Sequence, residues 1–259
     1  MLSVDLNCDM GESSHLYPYI IEKDIALLKY VSSINLACGF HAGDAHTMHQ
    51  LVESAVGMKI AIGAHPGFED KENFGRANHR LSPEKIYDIV LYQLGAIYAF
   101  LKAYHTKLHH VKPHGALYNI AAKERPVADA ISNAVFDFDN TLMLYALSGS
   151  ELISSAEDRG LKTASEVFAD RTYQADGSLT PRAAANALIE SGNEASIQVL
   201  RMLQQGSVLT TDGEDIAVKA DTICIHGDGI HALPFAETIY NALRQHGVNI
   251  KQPLIMVNC

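Results

Sequence analysis

The chain alternates short apolar runs with longer amphipathic ones. Runs of four to eight residues, rich in β-branched and apolar side chains and closed by glycine, proline or polar residues, predict strands. They lie at Ser3–Cys8, Ser33–Cys38, Lys59–Ala64, Leu108–Lys112, Thr141–Leu147, Lys162–Ala169 and Thr222–Ile225. Between them, apolar positions recur at helical spacing over Lys23–Val31, Ala45–Val56, Glu84–Tyr104, Val127–Phe136, Ser150–Asp158, Glu194–Gln205 and Pro234–His246. Asp44 is placed to cap the second of these helices, and Ser82-Pro83 opens the third. Gly57, Gly160, Gly206 and Gly247 stand where helices would end.

Strand and helix alternating in this way predict a parallel sheet. The expected fold class is α/β: an irregular seven-stranded (β/α) TIM-like barrel, one domain over residues 1–259. An open doubly wound sheet is the competitor. Its dinucleotide-binding version has little support, because no GxGxxG follows the first strand.

Composition narrows the function classes. Hydrophobic residues make up 47% and charged residues 19% of the 259 positions, enough for a large buried core. Twenty Lys and Arg stand against 30 Asp and Glu, a net charge of −10, which argues against nucleic acid as a partner. No apolar run reaches the length of a membrane span, so no membrane partner is expected. The opening MLSVDLNCDMGE has no basic region ahead of a hydrophobic stretch, so a cytoplasmic location with reduced thiols is expected. Cys8, Cys38, Cys224 and Cys259 form no close pair. The unusual count is 13 His with no Trp.

Polar residues crowd the C-terminal ends of the predicted strands. The ends run Asp5-Leu6-Asn7-Cys8-Asp9-Met10-Gly11-Glu12, Asn35 to Asp44 through His41, Gly63-Ala64-His65, His110-Val111-Lys112-Pro113-His114, Glu166 to Arg171 through Asp170, and His226-Gly227-Asp228. Side chains alternate across a strand, so Asp5, Asn7 and Asp9 share a face, as do His110, Lys112 and His114. In a barrel these faces converge on the mouth where such enzymes place their sites. One polar residue after a strand is ordinarily a cap or turn residue. Six such ends resist that reading, because each unpaired buried charge costs several kcal/mol.

The catalytic candidates are Asp9, His41, Asp44, His65, Lys112, His114, Asp170, Arg171, His226 and Asp228; Asn7, Glu12, Asn35, His110 and Glu166 are candidates for holding substrate. Asp9 is the candidate general base, and Lys112 and Arg171 are the candidate partners for phosphate or carboxylate. His41, His65, His114 and His226 are candidates for proton transfer or oxyanion stabilisation. His46 and His49 have a metal-compatible spacing, but helix faces collect such pairs by chance, and no metal ligand is assigned. No Walker GxxxxGK[ST] occurs.

DLNCDMGE (5–12), NLACGFHAGD (35–44), AIGAHPGFED (61–70), HVKPHGALYN (110–119), EVFADRTY (166–173), DGSLTPR (176–182) and CIHGD (224–228) together resemble the LamB/YcsF family. The resemblance runs from about Ser3 to His246. It implies a seven-stranded TIM-like barrel related to polysaccharide deacetylases. It also implies a lactam-utilisation role as the A subunit of 5-oxoprolinase. The implied activity is ATP-dependent opening of the 5-oxoproline lactam to L-glutamate, with ATP as co-substrate and subunits B and C as partners. The pattern departs from the family at Ser13-Ser14-His15, Glu22-Lys23-Asp24 and Gly229-Ile230, all in loops near the mouth. Two rivals fit the same residues. One is a metal-dependent deacetylase or amidohydrolase, since a divalent metal suits carboxylate and imidazole donors. The other is a non-catalytic protein that binds substrate for its partners.

Overall fold

A computed structural model describes residues 2–14, 19–226 and 232–254, with the backbone alone at His226. Among the described residues ten strands form: β1 (Ser3–Met10), β2 (Ser33–Ala37), β3 (Ala61–His65), β4 (His110–Val111), β5 (Met143–Leu147), β6 (Lys162–Phe168), β7 (Ser207–Leu209), β8 (Asp215–Ala217), β9 (Thr222–His226) and β10 (Asn249–Ile250). Seven of them run parallel in the order β1-β2-β3-β4-β5-β6-β9 and close where β9 pairs with β1, so the α/β barrel is as expected. β10 extends β1 at Ser3 and Val4, below its pairing with β9. β7 and β8 make a separate antiparallel hairpin.

The period-two pattern explains why the sheet closes this way. Val4, Leu6, Cys8 and Met10 of β1 point outward into the main apolar core. Asp5, Asn7 and Asp9 point into the lumen, where Asn7 reaches Glu166 on β6 and Thr222 on β9. The register aligns Asp9 with Asn35 and, through β2 and β3, Asn35 with Gly63, then Gly63 with His110. Barrel lumens are normally filled by branched apolar side chains. This one is filled largely by polar groups that hydrogen-bond to one another. Gly63 is required at its place, because a β-carbon there would collide with the His110 ring.

Eight helices surround the strands: α1 (Ile21–Leu27), α2 (Ala45–Met58), α3 (Pro83–Ala103), α4 (Gly115–Ala121), α5 (Arg125–Phe138), α6 (Glu151–Arg159), α7 (Gly192–Gln205) and α8 (Ala232–Gln245). Asp44 caps α2 by accepting from the His46 and Thr47 amides, and Ser82 caps α3 with Pro83 in its first turn. Gly160 and Gly206 take the left-handed conformation after α6 and α7. Gly57 does not end α2. The helix runs one residue further, and Lys59 takes the left-handed turn at φ 60°. α4, the β7–β8 hairpin and β10 are additions to the predicted elements.

The expectation that no apolar run is long enough for a bilayer needs correction at α3. Its 21 residues pass that test by length and composition. Here its apolar face, with Ile86, Val90, Leu94, Ile97 and Leu101, is buried in the core.

Candidate active site

The lumen narrows to a carboxylate–ammonium–carboxylate bridge. Lys112, 2% exposed, donates to Asp9 Oδ1 and Glu166 Oε1, both at 2.9 Å. Asn35 Nδ2 donates to the same Asp9 oxygen at 2.8 Å, and Tyr118 OH donates to Glu166 Oε2 at 2.7 Å. Burial disfavours the charged Lys112, but Asp9, Cys224 and Glu166 outweigh it and hold its pKa well above normal. One oxygen of Asp9 is therefore clamped from below. The other, Oδ2, faces His65 Nε2 at 3.4 Å.

Above that bridge four side chains converge. Their ligand-type atoms, on Glu12, His41, His65 and His114, lie within 4.8 Å of one another. β1 delivers Glu12 just past its end, β3 ends at His65, and His41 and His114 stand on the loops after β2 and β4. Gly75, at φ 62°, makes room for them, because a β-carbon there would press on the His41 β-carbon and the His114 ring. The His41 and His114 rings stack at 3.7 Å.

Two backbone carbonyls set the tautomers. His65 Nδ1 lies 2.7 Å from the Lys112 carbonyl, and His114 Nε2 lies 2.9 Å from the Phe74 carbonyl. Carbonyls only accept, so each of these nitrogens carries its hydrogen. The other two nitrogens, His65 Nε2 and His114 Nδ1, then face each other at 3.0 Å. Glu12 Oε1 lies 3.0 Å from His114 Nδ1, 3.1 Å from His41 Nε2 and 3.8 Å from His65 Nε2. Lone pairs and a carboxylate cannot stay this close without a positive charge among them. A proton on His65 supplies it, and so does a divalent ion. The donors suit such an ion: imidazole and carboxylate, with ring orientation fixed by carbonyls behind them. The buried His41 Nδ1 has no hydrogen-bond partner among the described residues.

The electrostatics agree. Burial lowers His41 to about 3, with His114 adding to the effect. Burial also disfavours charge on His65, but Asp9 and then Glu12 outweigh it and raise its pKa. Burial pushes Glu12 up, yet His114 and His41 hold it well below the usual carboxylate range.

The cluster opens into a cavity of about 530 Å³ lined by Asp9, Glu12, His65, Lys112, His114 and Arg171, among others. Asn7, Asn35 and His110 lie beneath it, linked by Asn35 Nδ2 to Asn7 Oδ1 at 2.7 Å and His110 Nε2 to Asn35 Oδ1 at 2.7 Å. Asp44 stands apart as the exposed cap of α2. Asp170 directly precedes Arg171 at the end of β6. The His226 side chain and all of Asp228 lie outside the described residues, as do His15 and His231. His46 is exposed on α2, and His49 meets Tyr104 OH at 2.8 Å. Cys224 Sγ lies 3.1 Å from Lys112 Nζ, and burial, then Asp9, pushes its thiol pKa well above normal. A protonated thiol of that kind is a packing residue.

Some participants escaped the sequence reading. Tyr118 sits on the unpredicted α4, Phe74 roofs the histidines from a loop, and Arg76 and Arg182 line the cavity from two other loop positions. Asp24 holds the Gly11 amide at 2.8 Å, one residue before Glu12. The motif DGSLTPR (176–182) carries that signal for Arg182, whereas AIGAHPGFED (61–70) stops short of Phe74 and Arg76, and sequence distance hides the convergence.

A model of the LamB/YcsF family matches residues 4–257. The chain belongs to the LamB/YcsF family. Among relatives of this family member, the 5-oxoprolinase A subunit of Shouchella clausii is 55% identical over 251 residues, covering 97% of this chain and 98% of that protein. The protein of the same name from Bacillus subtilis is 51% identical over 250 residues, with 96% of each covered. The solved lactam utilization protein from Thermus thermophilus superposes with a TM-score of 0.89 at 43% identity, over 97% of this chain and all of that one. A family 4 carbohydrate esterase from Streptomyces lividans shares the fold, with a TM-score of 0.50 at 12% identity over 98% of this chain and 94% of that one. The names of these relatives point to lactam processing and, for the two A subunits, to one member of a larger assembly.

Proposed function

We propose that this chain is the A subunit of an ATP-dependent 5-oxoprolinase, which with partner subunits B and C opens the 5-oxoproline lactam to L-glutamate. The observation that carries the reading is the half-clamped Asp9 beneath the Glu12–imidazole cluster, in a chain more than half identical to a 5-oxoprolinase A subunit. A five-membered lactam is an unstrained amide. Opening it needs an activated carbonyl, a water that loses a proton, and a nitrogen that gains one.

Asp9 suits the proton-accepting role. Lys112 and Asn35 fix its Oδ1, so Oδ2 is aimed at the cavity and takes the proton of an attacking water. The water oxygen bonds to the ring carbonyl carbon, and the carbon–nitrogen bond breaks. His65, whose charged form is favoured by Asp9, gives its proton to the departing nitrogen. ATP activates the lactam oxygen by phosphorylation, so this first water yields an acyl phosphate, and a second water hydrolyses it to the product carboxylate and free phosphate. In one version of this scheme the partners perform that phosphorylation and this chain opens the activated ring. Lys112 and Glu166 are positioning residues in this scheme, and Arg171, on the cavity wall, takes an anionic group.

The test is to mix the chain with its B and C partners, 5-oxoproline and ATP. L-Glutamate forms in the full mixture and not when this chain is omitted. Glutamate formation without it overturns the reading. ATP hydrolysis by the isolated chain in response to 5-oxoproline would move the phosphorylation here.

A second reading rests on the four convergent donors. In a metal-dependent amidohydrolase or deacetylase, Glu12, His41, His65 and His114 would hold a divalent ion. When bound, such an ion supplies Lewis-acid polarisation and a more acidic water. Asp9 keeps the same role beside it. Stoichiometric metal in tag-free protein favours this reading, alone or combined with the first.

A further inference from the structure

The cavity has a second wall, of which the lactam scheme uses only Arg171. Although the chain carries a net charge of −10, Arg76, Arg171 and Arg182 all line this one cavity. They come from three places: the loop between β3 and α3, the end of β6, and the loop before α7. Arg171 is 5% exposed and is fixed by donating from Nε to the Ala187 carbonyl at 3.3 Å and from Nη2 to the Thr180 carbonyl at 2.5 Å. Arg76 lays its guanidinium 4.8 Å from the centre of the Phe74 ring. That same ring stands edge-on to His41 and His114 at 5.8 and 5.3 Å. One aromatic ring therefore separates Arg76 from the imidazole cluster.

Arg171 feels the other two cations. Burial, and then Arg182, disfavour the charge on Arg171 and lower its pKa to about 10; Arg76 adds to this, while Asp170 and Tyr173 oppose it. An anionic ligand beside Arg171 would favour the charge that burial and these neighbours oppose. Planar guanidiniums match the paired oxygens of carboxylate and phosphate. Two lysines also line the cavity: Lys112 is bridged by Asp9 and Glu166, and Lys123 pairs with Asp176.

We propose that Arg76, Arg171 and Arg182 form an anion subsite beside the Glu12–imidazole cluster, which takes a carboxylate or phosphate group on a small cyclic-amide substrate. The proposal deepens the reading above and rests on it for the chemistry at the neighbouring carbonyl. A lactam such as 5-oxoproline brings a carboxylate, and activation by ATP adds a phosphate. The subsite recognises the chemistry the two share.

The experiment measures binding of inorganic phosphate, and separately of 5-oxoproline, to the full chain by calorimetry. The variants are Arg76→Ala, Arg182→Ala and the double variant; Arg171 is left intact because it ties two backbone carbonyls. The wild type binds at least one probe, more weakly as salt rises. Each single variant weakens that binding roughly tenfold, the scale of one charge-assisted pair, with an unchanged circular dichroism spectrum. Loss of phosphate binding alone assigns the subsite to phosphate, and loss of 5-oxoproline binding alone assigns it to carboxylate. No binding of either probe by the wild type, or wild-type binding by the double variant, overturns the proposal. Reconstituted turnover separates the two readings. If the complex opens no 5-oxoproline but the arginines still govern phosphate binding, the function fails and the subsite stands. If turnover is normal and both binding and KM ignore the arginines, the subsite fails and the function stands.

Discussion

The two ends of the barrel lumen use the same residue types to opposite effect. At the base, Asp5 accepts hydroxyl hydrogens from Ser32, Ser33 and Thr222 at 2.6–2.7 Å. Thr222 accepts in turn from Asn7, and Ser32 from the Leu6 amide. His110 stacks on Tyr145 at 3.8 Å and is bonded to Asn35. Burial holds His110 well below the usual imidazole range, so it is a neutral packing group. At the mouth, lone pairs confront one another, a buried His41 nitrogen lacks a partner among the described residues, and cations line one wall. The network around Asp5 specifies a structure, although the Tyr145 hydroxyl beside it also lacks a hydrogen-bond partner among the described residues; at the mouth the unmet groups face a cavity that can admit a ligand.

The largest expected break in this comparison is Asp9→Asn. It keeps the shape and the bond from Lys112 but removes the proton acceptor. Turnover of the reconstituted complex falls about a hundredfold to ten-thousandfold, the usual weight of a general base. The melting temperature changes little by comparison. Wild-type kcat in this variant would take Asp9 out of the chemistry.

Asp5→Ala is the converse. It strands three buried hydroxyls at the base, a loss on the order of 3 kcal/mol or more. Calorimetry then shows a lower melting temperature, by roughly 10 °C for a chain of this size. Turnover per folded molecule stays near normal at low temperature. Equal losses of activity per folded molecule in Asp5→Ala and Asp9→Asn would erase the distinction between the two ends.

Much of this contrast was legible before the structure. Period two along DLNCD put Asp5, Asn7 and Asp9 on one face, and the barrel turned that face inward. The sequence could not say which of those carboxylates would meet hydroxyls and which would meet histidines. That depends on register between strands, where Asp9 aligns with Asn35 while Asp5 aligns with Thr222. Glu12 was read as a substrate holder beside the histidines, and only closure of the barrel brings His41, His65 and His114 to its carboxylate. α4 hid because it is a single short helix opened by glycine after Pro113-His114, where turn chemistry dominates. Gly57 misled as a helix end, since a glycine inside a helix looks the same in sequence as one that stops it.

A third test asks what supplies the positive charge at the mouth. Adding Zn²⁺ to tag-free chain raises its melting temperature, by a stabilisation of about 2.7 kcal/mol at a hundredfold excess over Kd. His114→Ala weakens that binding at least about tenfold, while Asp44→Ala, at the exposed helix cap, leaves it unchanged. No shift in the wild type would assign the charge to a proton on His65.

An effect of similar size, spread over a pH range, lies outside both regions, at Asp24 on α1. Its carboxylate accepts from the Gly11 amide and from Tyr19 OH, both at 2.8 Å, and so helps aim Glu12. Burial raises its pKa from 3.8 to about 6, against the opposing hydrogen bonds. The folded protein therefore holds this proton more tightly than the unfolded chain does. Stability from this group is complete below the unfolded value and is lost as pH rises through the folded one. Asp24→Asn keeps an oxygen that can accept both bonds but cannot titrate. The wild type should then lose up to roughly 3 kcal/mol relative to the variant between about pH 4 and pH 7, as a shift of some two units implies. Urea midpoints of both proteins across that range read the difference directly. Parallel curves would mean that Asp24 is ionised throughout, solvated like a mouth residue despite its buried position.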